Sequence, residues 1–170
     1  KTINDIRSHQ INERAIDLTF ADRYSFCIIS PNKLKKLSEL DFNNLIKKFY
    51  NDTYLVDQNA CSSPHLIIWL GKQDEKLKEK FWQKLYENIK TKYDLSDSAV
   101  IEKYSNLCKY AAALKNIKDI KNYSNLIYKI KLKNVNHENH LNRGKWGLFF
   151  EYEVNNLNKI SKIINNKYQT

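Results

Sequence analysis

The segment TYLVDQNACSSPH, residues 53–65, places one cysteine between an amide-rich turn and a Ser-Ser-Pro-His exit. The thiolate form of Cys61 could attack a carbonyl carbon. A nearby hydrogen-bond donor such as Gln58 or His65 would favour that thiolate. Free cysteines are also often buried as small apolar residues, so the local pattern leaves both catalysis and packing open for Cys61.

Two other groups of residues could do chemistry. His137 and His140 have the spacing of metal ligands on one helical face, but they lie in an asparagine-rich loop with only Glu138 nearby. Zinc sites need three or four convergent ligands, so we expect a surface loop and no metal site. Asp22 and Arg23 could form a charge clamp for a substrate or an ion pair at the start of a strand, and the sequence leaves both open.

Glycine is rare in this chain, which limits how it could bind a nucleotide. Gly71, Gly144 and Gly147 are the three glycines, and neither a GxGxxG nor a GxxxxGK[ST] motif is present. Such glycine loops let the backbone approach a phosphate or pyrophosphate closely. We therefore expect any dinucleotide cofactor to be bound by another domain.

The elements around Cys61 form a corner between a helix and a strand. The run FCII, residues 26–29, predicts a buried strand that Pro31 ends. Apolar residues at spacings of three and four over 42–50 predict an amphipathic helix, which fades into the amide-rich turn. The apolar run HLIIWLG, residues 65–71, predicts the next strand. Cys61 therefore lies at an element boundary, where side chains face clefts more often than packed layers.

The rest of the chain completes an alternation of helices and strands. Its patterns predict helices over 74–93 and 96–114, strands over 125–135 and 146–154, and a final helix over 157–164. Cys108 follows the apolar pattern of the helix over 96–114 and is predicted to fill the core. Apolar residues alternate with lysine in 125–135, which predicts an edge strand with one wet face. Together these elements predict an α/β fold with a largely parallel sheet flanked by helices.

Composition indicates a globular domain with a basic surface. The 170 residues are 42% hydrophobic and 28% charged, which differs from the profile of disordered chains. No apolar run approaches the roughly 18 to 20 residues of a membrane span. The three cysteines lack zinc-site spacing and favour the reducing cytoplasm over a disulfide framework. The net charge of +10 comes mostly from lysine, which favours a solvated surface. A lysine-rich nucleic-acid-binding or scaffold domain without catalysis is therefore kept as the alternative hypothesis.

Two stretches of the sequence resemble one known family. LTFADRYSFCIIS and FYNDTYLVDQNACSSPHLIIW resemble the LuxC-type acyl-CoA reductases, a branch of the aldehyde dehydrogenase superfamily. The family's FxDRYSF stretch corresponds to residues 20–26, its DQxxCxSPH-like stretch to 57–65, and its QT pair to Gln169 and Thr170. The resemblance implies an aldehyde-dehydrogenase-like catalytic domain that spans residues 1–170. Because the chain begins at Lys1 and lacks methionine, we expect it to be a piece of a longer protein with its cofactor-binding domain elsewhere.

The resemblance also implies a reaction and a set of site residues. Cys61 would be the catalytic nucleophile, and its supporting residues would be Gln58, Asn59, Ser62, His65, Asp22 and Arg23. The acyl group from acyl-CoA or an acyl-transferase would pass to Cys61 and be reduced by NADPH, bound mainly outside this chain, to a fatty aldehyde. Partners could include acyl-protein synthetase and transferase subunits or further copies of the chain.

One departure from ordinary aldehyde dehydrogenases bears on that reaction. Those enzymes have a Glu-Leu-Gly-Gly-Lys-like segment whose glutamate activates water, whereas residues 19–23 here contain no glutamate. Activated water would hydrolyse a thioester before its reduction. The resemblance therefore implies reduction of an acyl thioester rather than oxidation of an aldehyde, unless Asp22 points into the pocket and partly replaces the glutamate.

Overall fold

The computed structural model describes residues 5, 8–9, 12, 14–16 and 23–169. Within that part of the chain, the strands are β1 (Tyr24–Ile29), β2 (Pro64–Leu70), β3 (Ile117–Tyr123), β4 (Ile127–Leu132), β5 (Leu148–Val154) and β6 (Tyr168–Gln169). They form one sheet in the order β3-β4-β5-β2-β1-β6. All neighbouring strands are parallel except β3 and β4, which form an antiparallel pair. The prediction of a largely parallel sheet is confirmed.

Helices cover both faces of the sheet. In chain order they are α1 (Pro31–Leu34), α2 (Glu39–Thr53), α3 (Glu75–Ile89), α4 (Asp97–Ala113) and α5 (Asn158–Ser161). The three long helices, α2, α3 and α4, begin after side chains that cap a backbone N–H, from Ser38, Asp74 and Ser96. Such caps satisfy donors that have no partner inside a helix. The predicted α/β fold, with helices flanking the sheet, is confirmed.

The apolar residues separate into two cores. On one face, Phe149 and Trp69 of the sheet pack with the apolar stripes of α2 and α3. On the other face, Phe150 and Leu66 pack with neighbouring strand residues, against which α4 places partly buried side chains such as Tyr110. Because both faces are covered, β2 and β5 are buried almost throughout, as expected for parallel strands in the middle of a sheet.

The predicted edge strand is an interior one. β4 lies between β3 and β5, and β3, which the sequence patterns did not predict, forms the edge. Lys129 of β4 is 4% exposed, because its ammonium lies 3.5 Å from a Glu79 carboxylate oxygen and over the Trp82 ring. Two of the alternating lysines, Lys129 and Lys131, therefore pair with carboxylates of α3, whereas Lys133 is exposed.

The predictions for the helices on the other face need two corrections. Cys108 was predicted to fill the core, but it is exposed. α4 contacts the sheet through a narrow stripe, and Ile101 and Tyr104 on the same helix are also exposed. The helical pattern over 157–164 forms only the single turn of α5. No helix among the described residues has both the length and the apolar character to cross a bilayer.

Candidate active site

Cys61 lies in the turn that connects α2 to β2. α2 continues into a 3₁₀ turn, Tyr54–Val56, and the chain then reverses through Asp57 and Gln58, whose φ values are 53° and 58°. This left-handed conformation is uncommon for residues other than glycine. Cys61 follows three residues later and is exposed, so the turn presents its thiol at the surface.

Gln58 connects this turn to the first residues of two strands. Its side chain is buried, with 1% exposure. The Nε2 group donates hydrogen bonds to the carbonyl oxygens of Pro64, at 3.0 Å, and Leu148, at 3.1 Å. The Oε1 atom accepts a hydrogen bond from the Gly147 N–H at 3.1 Å. Gln58 was expected to donate to the thiolate, but in this structure both of its amide hydrogens are used in holding the turn against β2 and β5.

The backbone of the turn has further contacts on its other side. Ser25 of β1 donates its hydroxyl hydrogen to the Cys61 carbonyl oxygen, at 2.6 Å. Ser63 donates its own hydroxyl hydrogen to the Asp52 carbonyl oxygen, also at 2.6 Å. The main chain at Cys61 is therefore anchored to β1 and its turn to the end of α2, although the Cys61 side chain is exposed.

His65 is a buried neutral imidazole in β2. Its Nδ1 atom is 3.0 Å from the Gly144 carbonyl oxygen, and its ring stacks on Tyr24 with centroids 5.3 Å apart. Burial, assisted by the positive charge of Arg143, lowers the pKa of His65 from 6.5 to about 4. Because a carbonyl oxygen only accepts, Nδ1 carries the hydrogen. At neutral pH His65 therefore supplies no positive charge to stabilise a thiolate.

The remaining predicted site residues differ in their surroundings. Asn59 and Ser62 flank Cys61 in the turn and are exposed. Arg23 donates to the Asn166 carbonyl oxygen, and its own carbonyl oxygen accepts a hydrogen bond from the Arg143 guanidinium at 3.0 Å. Asp22 lies outside the described residues. Both alternatives for Asp22 and Arg23, a charge clamp for a substrate and an ion pair at the start of the strand, therefore stay predictions.

Two glycines beside Gln58 are required by close packing. A Cβ atom at Gly144 would lie 1.6 Å from the Leu148 carbonyl oxygen, and one at Gly147, where φ is +87°, would lie 2.2 Å from the Leu126 carbonyl oxygen. Both glycines therefore let the loop before β5 fit against its neighbours.

Lys103 supports the same loop, and the sequence patterns did not predict its role. This lysine of α4 is 1% exposed. Its ammonium donates to the carbonyl oxygens of Asn125, Leu126 and Trp146, the last at 2.8 Å. Burial lowers the pKa of Lys103 to about 7. The sequence offers one signal for this role, a lysine within the apolar stripe of a predicted helix. It does not reveal the carbonyl partners, because they lie in loops that are distant in sequence.

The histidine loop forms its own local contacts. His140 Nδ1 lies 2.7 Å from the His137 carbonyl oxygen. Across the part of the chain that the structure describes, no three His, Cys, Asp or Glu residues are grouped so that they could hold a metal ion.

Known structures with a similar arrangement are aldehyde dehydrogenases, at low similarity. A benzaldehyde dehydrogenase from Corynebacterium glutamicum matches 84% of this chain and 32% of its own, with 10% identity and a TM-score of 0.44. Aldehyde dehydrogenase 21 from Physcomitrella patens matches 85% of this chain and 31% of its own, with 14% identity and a TM-score of 0.47. The chain thus spans about a third of the length of these enzymes, and similarity at this level does not support an argument about function.

The family is shown by the sequence match instead. No curated protein matches the chain. The sequence model described as "Acyl-CoA reductase (LuxC)" matches residues 1–150, which include the Cys61 turn, β1, β2 and the first residues of β5. This match confirms the resemblance seen in the FADRYSF and DQNACSSPH stretches. The chain belongs to the LuxC family of acyl-CoA reductases.

Proposed function

We propose that this chain is the cysteine-bearing catalytic part of a fatty acyl-CoA reductase and that Cys61 is its nucleophile. The observation that carries the proposal is an exposed thiol on a turn whose backbone is anchored to β1, β2 and β5. An exposed side chain on a fixed main chain suits a nucleophile, since the reacting atom meets the substrate while its geometry is maintained. The family match supplies the class of substrate.

The step assigned to this chain is acyl transfer. The Cys61 thiolate attacks the carbonyl carbon of the acyl thioester, the bond from that carbon to the donor sulfur breaks, and the donor leaves as a thiolate. The product is an acyl group on the Cys61 sulfur. The donor is acyl-CoA or an acylated transferase subunit. Stabilisation of the oxyanion would come from the Cys61 backbone N–H and from an amide side chain outside this chain.

Reduction then releases the product. A nicotinamide cofactor, NADPH in this proposal, would be held by residues outside this chain and would supply a hydride to the acyl carbon on the Cys61 sulfur. The resulting thiohemiacetal anion collapses, its carbon–sulfur bond breaks, and a fatty aldehyde leaves while the Cys61 thiolate is regenerated. Residues 19–23 contain no glutamate to activate water against the thioester, which is consistent with a reductase.

The test uses a matched pair of cysteine substitutions in the full-length protein. Cys61→Ser and Cys108→Ser each remove one exposed thiol. With radiolabelled long-chain acyl-CoA, we expect the parent and Cys108→Ser to become labelled and Cys61→Ser to remain unlabelled and inactive in aldehyde formation. Labelling and reduction by Cys61→Ser at the parent rate would show that the assignment is wrong.

The alternative hypothesis, a nucleic-acid-binding domain, predicts a different result in a second assay. Binding driven by phosphate contacts weakens by orders of magnitude between low and moderate salt, and it would not depend on Cys61. Filter binding at two salt concentrations therefore separates the alternatives, and salt-sensitive retention together with no acylation would favour the nucleic-acid domain.

A further inference from the structure

We propose that Gln58 is a positioning residue for acyl transfer, acting as a clamp that fixes the orientation of the Cys61 turn. This inference rests on the proposed nucleophilic role of Cys61. Gln58 itself need not touch the substrate, since its effect passes through the turn that it closes.

The clamp closes the turn directly. Gln58 and Pro64 are the two ends of the segment that contains Cys61, and the Gln58 amide donates to the Pro64 carbonyl oxygen across it. The Gln58 backbone N–H also donates to the Thr53 carbonyl oxygen at 2.7 Å. One residue thus joins the end of α2 to the start of β2, and Cys61 lies between these two fixed points.

The same amide holds the turn against β5. Its second hydrogen goes to the Leu148 carbonyl oxygen, and its Oε1 atom accepts from the Gly147 N–H. The Trp146 N–H reaches back to the Asp57 carbonyl oxygen at 3.3 Å, and Asp57 accepts a hydrogen bond from the Tyr93 hydroxyl at 2.6 Å. The turn that Gln58 closes is therefore also held at Asp57, by the loop before β5 on one side and by Tyr93 on the other.

No other group can easily replace this side chain. Its three partners are backbone groups, and the amide that serves them is almost completely buried. A buried carbonyl or N–H that loses its partner carries an energetic penalty. Without the amide, the turn would relax toward water to satisfy those groups, and the Cys61 sulfur would move with it.

Acyl transfer and simple alkylation should respond differently to such a movement. Transfer from a bound thioester needs the sulfur aligned with the carbonyl carbon, and small misplacements in an active site can cost about 100-fold in rate. Alkylation by iodoacetamide needs only an accessible thiolate, because the reagent approaches from solution. A positioning role therefore predicts a large loss in the first reaction and a small change in the second.

Gln73 provides a matched control at the opposite end of β2. Its Nε2 group also donates to two backbone carbonyl oxygens, those of Trp69, at 3.2 Å, and Gly71, at 2.6 Å. Gln58→Met and Gln73→Met in the full-length protein each remove an amide that donates to two backbone carbonyl oxygens, one of them in β2. We would measure single-turnover acylation at saturating long-chain acyl-CoA, and iodoacetamide labelling of the Cys61 peptide with the Cys108 peptide as internal reference.

We expect Gln58→Met to acylate at least about tenfold more slowly while its Cys61 alkylation changes less than about threefold, and Gln73→Met to retain the parent acylation rate. Acylation of Gln58→Met within twofold of the parent, or equal losses in both variants, would overturn the clamp. A parent that is not acylated at Cys61 would overturn the proposed function itself, which is a distinct result.

Gln58→Glu keeps the test decisive if Gln58→Met does not fold. The glutamate retains an acceptor for the Gly147 N–H, and in its protonated form it can donate one hydrogen to a carbonyl oxygen. Because position 58 is buried, the pKa of this carboxyl should be raised well above its ordinary value of about 4.3, so the acylation rate relative to the parent should recover as the pH falls from about 8 to about 6. A ratio that stays at the parent value throughout this range would contradict the clamp.

Discussion

The buried imidazole of His65 should make the fold sensitive to mild acid. Burial lowers the pKa of His65 from 6.5 to about 4, so between these values the unfolded chain binds a proton that the folded chain does not. Stability contributed by His65 is therefore present above pH 6.5 and is lost as the pH falls toward 4. The linkage relation with these two pKa values gives a loss of about 2 kcal/mol between pH 7 and pH 5.

His65→Asn tests this reasoning, because its amide can still donate to the Gly144 carbonyl oxygen but does not titrate. Urea unfolding followed by tryptophan fluorescence at pH 7 and pH 5 gives the free energy of unfolding at each pH. We expect the parent to lose about 2 kcal/mol more than His65→Asn over this interval. His137→Asn removes an exposed imidazole and should behave as the parent does. Equal losses in the parent and His65→Asn would refute the argument.

Two further predictions concern the packing around the site. Phe149→Ala removes a fully buried ring that contacts Phe49, Tyr54 and Trp82, and it should lower the free energy of unfolding by about 3 to 5 kcal/mol in urea titrations; a loss under about 1 kcal/mol would contradict this core assignment. The pKa of Lys103 is lowered to about 7, so the stability of the parent should rise as the pH increases from 7 to 9, and Lys103→Met should remove that rise in the same measurement.

The sequence predicts most of the framework, because periodicity is a local property. The spacing of Phe42, Ile46 and Phe49 is enough to place α2, and its boundary with β2 locates Cys61 at a corner. Edge strand β3 was not predicted, since the segment IKDIKNY is mostly exposed and offers neither strict alternation nor an apolar run. The exposure of Cys108 was not predicted either, because periodicity shows which helical face is apolar but not how much of it the sheet covers.

The contacts that hold the site could not be predicted in the same way. Gln58 binds groups 6 and 90 residues away along the chain, and Lys103 binds carbonyl oxygens 22 to 43 residues away. An amide and a lysine in the sequence carry no sign of such partners, which exist only once the loop before β5 lies beside the Cys61 turn. The family resemblance points to Cys61 as the proposed nucleophile, whereas the hydrogen bonds by which Gln58 and Lys103 hold the backbone around it exist only in the folded chain.

The positive charge of the chain also has a different meaning once the strands are placed. Lys131 of β4 lies 2.7 Å from a Glu153 carboxylate oxygen, and Lys78 of α3 forms an ion pair with the same carboxylate. The nearby lysines hold the pKa of Glu153 at about 2, against the opposing effect of burial. Lysines that are paired in this way cannot release counterions from a phosphate backbone without first losing their carboxylate partners. Lys78 and Lys131 therefore do not form a free basic patch, and the net charge of +10, which already subtracts their carboxylate partner, is carried by other residues.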